Sequence, residues 1–561
     1  MNPSDNSNSG GGFFSQRSGV PKNLGVEEQD NDKATDIRKR NLDYMVDIRK
    51  KNRKNLIRNN RFQNVMRVTG QDQPQMAPEN NMAMITLDQM NSPFPVHLSH
   101  LDKVEDSQRI FKIINDMQDK EVDQSNLKEY LEAVKSEDRI QRHKAIIYLR
   151  RSLSNRDNLP IQNIIDLNGV PLLMDIAKDT SELHMRLEAT WCLANLVSGT
   201  SEQTATMISK DIIGLFIGIL DDQYSQIVEQ AIWGLGNIIG DCVHFREKVV
   251  KNKVLPKLIK LLQKFDNMSI VKNIIWCLSN ACRIKPNKEQ YTAMKEPVVS
   301  MIKAFIVYDD VTIKTDCLLG FSEYCKKNLI SHFLEEGFLL NLRKFYQYLY
   351  STDVPYENVQ AELSAVHKII GNITNGDDFD TGKIINQNFL KDLNVTMKID
   401  NALCKREICW ILSNIAAGTS GQINALINEP GLFASLVTLL YGVEKNIQRE
   451  ALWTICNMTK NCNRVQLDFL INQQILNVFN DLIGMDKDSK MIVLVLEAIP
   501  NIIEKFTESN ENAESNKEVI VDMMFDCGLA DKISELQKHQ SDHIYERALT
   551  ILESHFDLEE Y

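Results

Sequence analysis

The sequence predicts an all-α solenoid, a one-dimensional stack of helical repeats. Three observations carry that reading. The chain has 561 residues, too many for one hydrophobic core of ordinary size. All five tryptophans stand four residues before an asparagine: Trp191/Asn195, Trp233/Asn237, Trp276/Asn280, Trp410/Asn414 and Trp453/Asn457. Successive tryptophans are 42, 43, 134 and 43 residues apart, so the long gap holds about three periods.

The elements follow in chain order. Residues 1–32 are rich in Ser, Asn and Gly and are expected to be disordered. Residues 33–75 form a basic arm, and residues 76–104, polar with scattered Met and Pro, read as a flexible linker. Residues 105–561 are then the solenoid. Its first repeat is expected at 138–165. Pro171 and Pro256 each lie 20 residues before a Trp, at the head of an apolar run. Leu318 falls 42 residues after Trp276, and Lys368, followed by Asn372, falls 42 before Trp410. The 50 residues between Leu318 and Lys368 imply an insertion near "YQYLYSTDVPYENV". "LEAIPNII" marks a late repeat, and "GLADKISELQ" to "ALTILESHF" the last. A period near 42 with helical apolar spacing is that of armadillo and HEAT repeats. The expected body is a right-handed superhelix of about ten such units, each burying its apolar face only by stacking.

Composition excludes several function classes. Lys33 to Arg61 carries eleven Lys and Arg against three Asp, net +8, which leaves −20 on the rest of a chain whose total is −12. An acidic body argues against nucleic acid as its main partner and for basic ligands. The eleven cysteines are scattered without a C-x-x-C pair, as reduced core thiols of an intracellular protein would be. No apolar run approaches the roughly 18 residues of a membrane span. A phosphate-cradling Gly loop, H-E-x-x-H and G-x-S-x-G are all missing, so no enzyme, cofactor or metal is expected. His184 and His367 lie inside repeats and read as structural.

Residues i and i+4 share a helix face. One Trp/Asn pair reads as a core filler beside a tolerated polar neighbour. Five in phase read differently, because an Asn buried at every repeat would leave a ladder of unsatisfied amides. Both side chains are therefore expected on the concave surface. There the carboxamide, donor and acceptor at once, would hold the backbone of an extended peptide. Slots between the indoles would take Lys or Arg stems, with cation–π attraction of roughly 0.5–1 kcal/mol each. Asp241, eight residues after Trp233, and Glu407 and Glu450, each three before a Trp, would select basic side chains.

The stretches "WCLANLVSGTSEQT", "EQAIWGLGNIIGD", "NIIWCLSNACRIKP", "KREICWILSNIAAG" and "QREALWTICNMTK" resemble the armadillo repeats of importin-alpha, the nuclear-import adaptor family, from about residue 138 to the end. The resemblance implies a major site for nuclear localisation signals at Trp191, Asn195, Trp233, Asn237, Trp276 and Asn280. Ser198, Gly199, Thr204, Gln230 and Asp241 would line its lysine pockets, with Asp241 anchoring the key Lys. A minor site would use Asn372, Glu407, Trp410, Asn414, Glu450, Trp453 and Asn457. Leu318 and Ser322 stand where the family usually has a fourth Trp and a Tyr, and Lys368 where it usually has an Arg.

The arm "IRKRNLDYMVDIRKKNRKNLIRNNR" can place Ile37, Leu42, Met45, Val46 and Ile48 on one broad side of a helix. It resembles the family's importin-beta-binding segment, whose basic contacts would be Arg38, Lys39, Arg40, Arg49, Lys50, Lys51 and Arg53. Only Arg58 and Arg61 occupy the family's cargo-mimicking cluster, so autoinhibition is expected to be weak. The family also implies shuttling between cytoplasm and nucleus, with recycling by a dedicated exportin and Ran-GTP. A catenin-like or cytoskeletal armadillo scaffold, the alternative, would line its groove with Lys and Arg, and an RNA-binding helical repeat would need a basic inner face. The acidic body opposes both.

Overall fold

The computed structural model describes residues 126–154, 159–283, 292–325, 329–351, 356–508 and 513–556. The N-terminal segment 1–32, the basic arm 33–75 with its Arg and Lys positions, the linker 76–104 and the start of the expected solenoid lie outside them. Every regular element among the described residues is helical.

Ten helices form one continuous row: α1 (Arg139–Ser152), α2 (Leu183–Leu196), α3 (Ser225–Asp241), α4 (Met268–Ala281), α5 (Val311–Phe321), α6 (Gln360–Thr374), α7 (Ala402–Ala416), α8 (Lys445–Asn461), α9 (Ser489–Thr507) and α10 (Asp542–His555). Each packs against the next. The helix before each in sequence, such as Gly169–Lys178 before α2 or Val254–Lys264 before α4, covers its other side. A short helix such as Ser201–Ile208 or Ser420–Asn428 turns the chain between them. The core is one ribbon of Leu, Ile, Val and Phe running the length of the stack, as expected where a repeat buries its apolar face only against its neighbours.

Local sequence fixes the corners of each repeat. Thr200/Gln203, Thr419/Gln422 and Asn463/Gln466 form capping boxes on the short helices, each satisfying two backbone N–H groups that a helix start leaves open. The same glutamines reach the preceding repeat. Gln203 Nε2 donates to Gln162 Oε1 at 3.2 Å, Gln422 Nε2 to the Asp378 carbonyl at 2.8 Å and Gln466 Nε2 to that of Ser420 at 2.7 Å. The next corner uses a left-handed residue. Asn168, Asp211, Lys253, Asn388 and Gln474 have φ between 53° and 63°, and Gly431 and Gly528 have 77° and 76°. Pro171 and Pro256 sit in the first turn of the helices that follow such corners, where the missing N–H costs nothing.

The middle of the array is helical, as the phase of Leu318 and Lys368 requires. Both fall in the row, in α5 and α6. Leu318 and Ser322 are buried, and α5 is the shortest member at 11 residues. The insertion lengthens the helix Glu336–Ser351 to 16 residues. Its polar side chains close a buried network: Arg343, Gln347 and Tyr350 all bond the Asp392 carboxylate, and the Tyr346 hydroxyl lies 2.8 Å from His367 Nε2 and 2.5 Å from Thr396 Oγ1. His184 and His367 are both buried in the stack. In α9 the phase places Leu496 and Pro500 where α8 has Trp453 and Asn457. Pro500 removes a helical N–H, and Asn501 Nδ2 donates to the Glu497 carbonyl at 2.9 Å beside it. All eleven cysteines are free thiols, nine of them buried; burial pushes the Cys404 thiol up to about 12.

Gly431 isolates the cost of the left-handed corner, because a Cβ there would meet nothing within 4 Å. Gly431→Ala is expected to destabilise the chain by about 1 kcal/mol through backbone strain alone. Gln474→Gly at the equivalent corner is expected to be neutral or slightly stabilising. Urea unfolding followed by circular dichroism checks both.

Candidate functional site

The five Trp/Asn pairs lie in α2, α3, α4, α7 and α8. All five indoles are half-buried, short of the open exposure expected of them. At Trp276 and Trp410 the six-membered ring leans on the preceding helix of the row. A Cβ on Gly236 would overlap the Trp276 ring, and one on Gly371 would overlap that of Trp410.

The asparagines correct the expectation more strongly. Asn195, Asn280 and Asn414 are buried, while Asn237 and Asn457 are half-buried. Each of the five commits an amide N–H to the preceding repeat. Asn237 Nδ2 donates to the Ala194 carbonyl at 3.0 Å, Asn280 to Gly236 at 3.3 Å, Asn414 to Gly371 at 3.3 Å and Asn457 to Ser413 at 3.0 Å. Asn195 Nδ2 donates to Ser154 Oγ at 3.2 Å. Each accepting carbonyl belongs to the residue just before the previous repeat's Asn, near the C-terminal end of that helix. A carbonyl keeps a second lone pair after its helical bond, and the amide uses it. Burial of the ladder thus carries no desolvation penalty of the kind that argued for exposure. The partner that satisfies each amide lies one repeat away, which the sharing of a helix face within one repeat does not reveal.

The residue before each Asn is small: Ala194, Gly236, Ser279, Gly371, Ser413 and Cys456. Only a small side chain admits both the next repeat's indole edge and its amide. This row was missed, although it is plain in "LAN", "LGN", "LSN", "IGN", "LSN" and "ICN".

What the first three pairs offer a ligand is chiefly a set of acceptors. Gln230, Trp233, Asn237 and Asp241 are spaced to share one face of α3, over about 16 Å. Asp241 Oδ1 accepts from Ser201 Oγ at 2.6 Å, whereas Oδ2 is buried without a partner, as is Gln230 Oε1. Trp191 Nε1 is a buried donor in the same condition. A carboxylate at the C-terminal residue of a helix opposes the helix dipole, so its position is not a stability device. Ser198 and Gly199, just past the end of α2, are half-buried. The Ser198 hydroxyl bonds the Asn195 carbonyl at 2.7 Å, and Gly199 packs on the Gln203 amide and Ile161. Thr204 is buried, with Oγ1 3.4 Å from the Val197 carbonyl; it supports the helix junction and does not line a pocket, a second correction.

At the other two pairs Glu407 is turned inward, a third correction. It accepts from Ser364 Oγ at 2.6 Å and pairs with His367 Nδ1 at 3.1 Å, so it belongs to the network around the insertion. Glu450 is the freer carboxylate. Half-buried, it is pushed above the usual carboxylate range by desolvation, with Arg406 opposing. Asn372 is half-buried on the same face of α6 as Lys368, which is exposed.

Gly371→Ala is expected to force the Trp410 ring off its seat and to lower stability by about 1–3 kcal/mol. Gly218→Ala, in an outer helix where a Cβ would meet nothing within 4 Å, is expected to raise it by about 0.5–1 kcal/mol. Paired unfolding curves read both, and a neutral Gly371→Ala would remove the close approach.

Comparison with known proteins places this geometry. The family model "Armadillo/beta-catenin-like repeat" matches residues 157–198, 242–283 and 419–460, and "Atypical Arm repeat" matches 518–561. Importin subunit alpha-1b of Oryza sativa subsp. japonica is 29% identical over 77% of this chain and 79% of its own. Importin subunit alpha-1a of the same plant is 30% identical over 76% and 79%, and importin subunit alpha-5 of Arabidopsis thaliana 27% over 72% and 75%. A crystal structure of an engineered protein superposes with a TM-score of 0.59 at 20% identity, over 76% of this chain and 98% of that one, which bears on the fold alone. The chain is an armadillo solenoid and belongs to the importin-alpha family.

Proposed function

We propose that the chain is a nuclear-import adaptor whose solenoid holds the basic localisation signal of a cargo protein as an extended peptide. One observation carries the proposal: α3 presents three buried side-chain acceptors without donors, Gln226 Oε1 and Gln230 Oε1 before Trp233 and Asp241 Oδ2 after it. A Lys ammonium supplies three donors and a charge, which suits Asp241. Its aliphatic stem suits the half-exposed indoles. The acidic body, −20 outside the arm, attracts such a ligand at long range.

The roles within the ladder shift with the geometry. Trp191, Trp233 and Trp276 form the walls of the major site and Asp241 its anchor. The asparagines hold the helices in register and offer a peptide their carbonyl oxygens, more openly at Asn237 and Asn457 than at the three buried ones. Trp410, Trp453, Asn457 and Glu450 form the minor site, with Glu407 a support. The basic arm engages importin-beta in this proposal, on its sequence alone. The adaptor then shuttles between cytoplasm and nucleus and leaves the nucleus on an exportin with Ran-GTP.

The test is a titration of a fluorescent lysine-rich signal peptide against the full chain, by anisotropy. Asp241→Asn keeps the Ser201 contact but removes the charge, and is expected to weaken binding roughly 10- to 100-fold, the value of a charge-assisted hydrogen bond. Binding should fall further with added salt. An unchanged affinity in Asp241→Asn would refute the assignment of the anchor, and no binding by the wild-type chain would refute the adaptor.

A further inference from the structure

The Trp/Asn phase continues into α1, where it changes chemistry. Arg150 stands 41 residues before Trp191 and Ser154 41 before Asn195. Arg150 therefore occupies the tryptophan position of the first repeat. Its guanidinium carbon lies 4.5 Å from the centre of the Trp191 ring. Its Nε donates to Glu188 Oε2 at 2.8 Å, and the Glu188 side chain is only 2% exposed. Ser154 completes the rung, donating to the Arg150 carbonyl at 2.8 Å and accepting from Asn195. His184 Nε2 is 3.7 Å from the other Glu188 oxygen. Burial and the neighbouring positive charges of His143 and Arg150 hold that imidazole well below its usual pKa. Arg150 is thus the cation that balances Glu188.

A guanidinium stacked on an indole and tethered by a carboxylate is also the arrangement a basic side chain of a bound peptide would adopt. Here the chain supplies it. The position is basic again at Lys368, one repeat before Trp410, so each run of tryptophans is headed by a cation of the protein itself.

We infer that Arg150 fills the terminal side-chain slot of the groove, over Trp191, and so sets where a bound basic peptide must end. This rests on the cargo reading above. With Arg150 in place, an additional Lys or Arg at the peptide end over the first repeat finds the ring covered and a fixed positive charge in its path. Without Arg150, the same residue gains the indole and the Glu188 carboxylate.

The experiment is competition anisotropy on the full chain with one lysine-rich peptide and two longer versions, carrying one extra Arg at the N-terminus or at the C-terminus. In the wild type, one of the two extensions is expected to add nothing. In Arg150→Ala that same extension is expected to tighten binding about two- to fivefold, while the parent peptide changes less. Arg150→Ala leaves Glu188 buried and unpaired, which can unfold the first repeat. Arg150→Ala/Glu188→Gln removes that charge and is expected to keep the gain from the indole. Retained binding of the parent peptide with no gain from either extension in either variant overturns the slot assignment alone. Absence of peptide binding by the wild type overturns the cargo reading with it.

Discussion

The structure depends on one contact made repeatedly between neighbouring repeats. An asparagine amide donates to a carbonyl near the end of the preceding inner helix, and an indole four residues earlier lies against the small residue that carries that carbonyl. Together they fix both the distance and the register of two stacked helices. A solenoid has no long-range contacts to correct an error, since each repeat touches only its neighbours. Register must therefore be set locally at every joint. A buried amide does this well, because its bond forms in one alignment and its loss leaves a polar group unsatisfied in a dry interface.

The same constraint shapes the candidate site. With one amide N–H committed to the array, each asparagine serves the stack first and has only the rest of its carboxamide to offer a ligand. The indoles, seated at one edge, leave the other edge at the surface at nearly fixed spacing. Acceptors without donors on α3, at Gln226, Gln230 and Asp241, then mark places where the array is not self-sufficient. The central repeats depart from this plan. Leu318 is buried where an indole would stand, and α5 is short, so the row is interrupted between its two tryptophan runs. The insertion braces that interruption from behind, through Asp392, Tyr346, His367 and Glu407.

Much of this was legible in the sequence. The period, the two hidden repeats at Leu318 and Lys368, the insertion between them and the late repeat at "LEAIPNII" followed from tryptophan spacing, because a repeat that must stack imposes its phase on every buried position. The direction of each asparagine did not follow. Periodicity says which residues share a helix face, yet a face inclined toward the next helix and a face open to solvent share the same period. Glu407 was misplaced for that reason. The left-handed corners at Lys253 and Gln474 carry no local mark, since neither residue favours positive φ; only their distance of about 43 residues from Asp211 and Gly431 betrays them. Arg150 escaped because its role lies in replacing a tryptophan, and the tryptophans alone defined the repeat.

The central claim is that the asparagine ladder holds the array together before any ligand arrives. Its most direct test is urea unfolding of the full chain with Asn195→Ala, Asn280→Ala and Asn414→Ala combined, without peptide, followed by far-ultraviolet circular dichroism. The three sites are far enough apart for their effects to add, so a loss of about 3 kcal/mol is expected, near 1 kcal/mol for each hydrogen bond removed. An unfolding curve indistinguishable from that of the wild type would contradict the account and return the asparagines to a role in ligand binding alone.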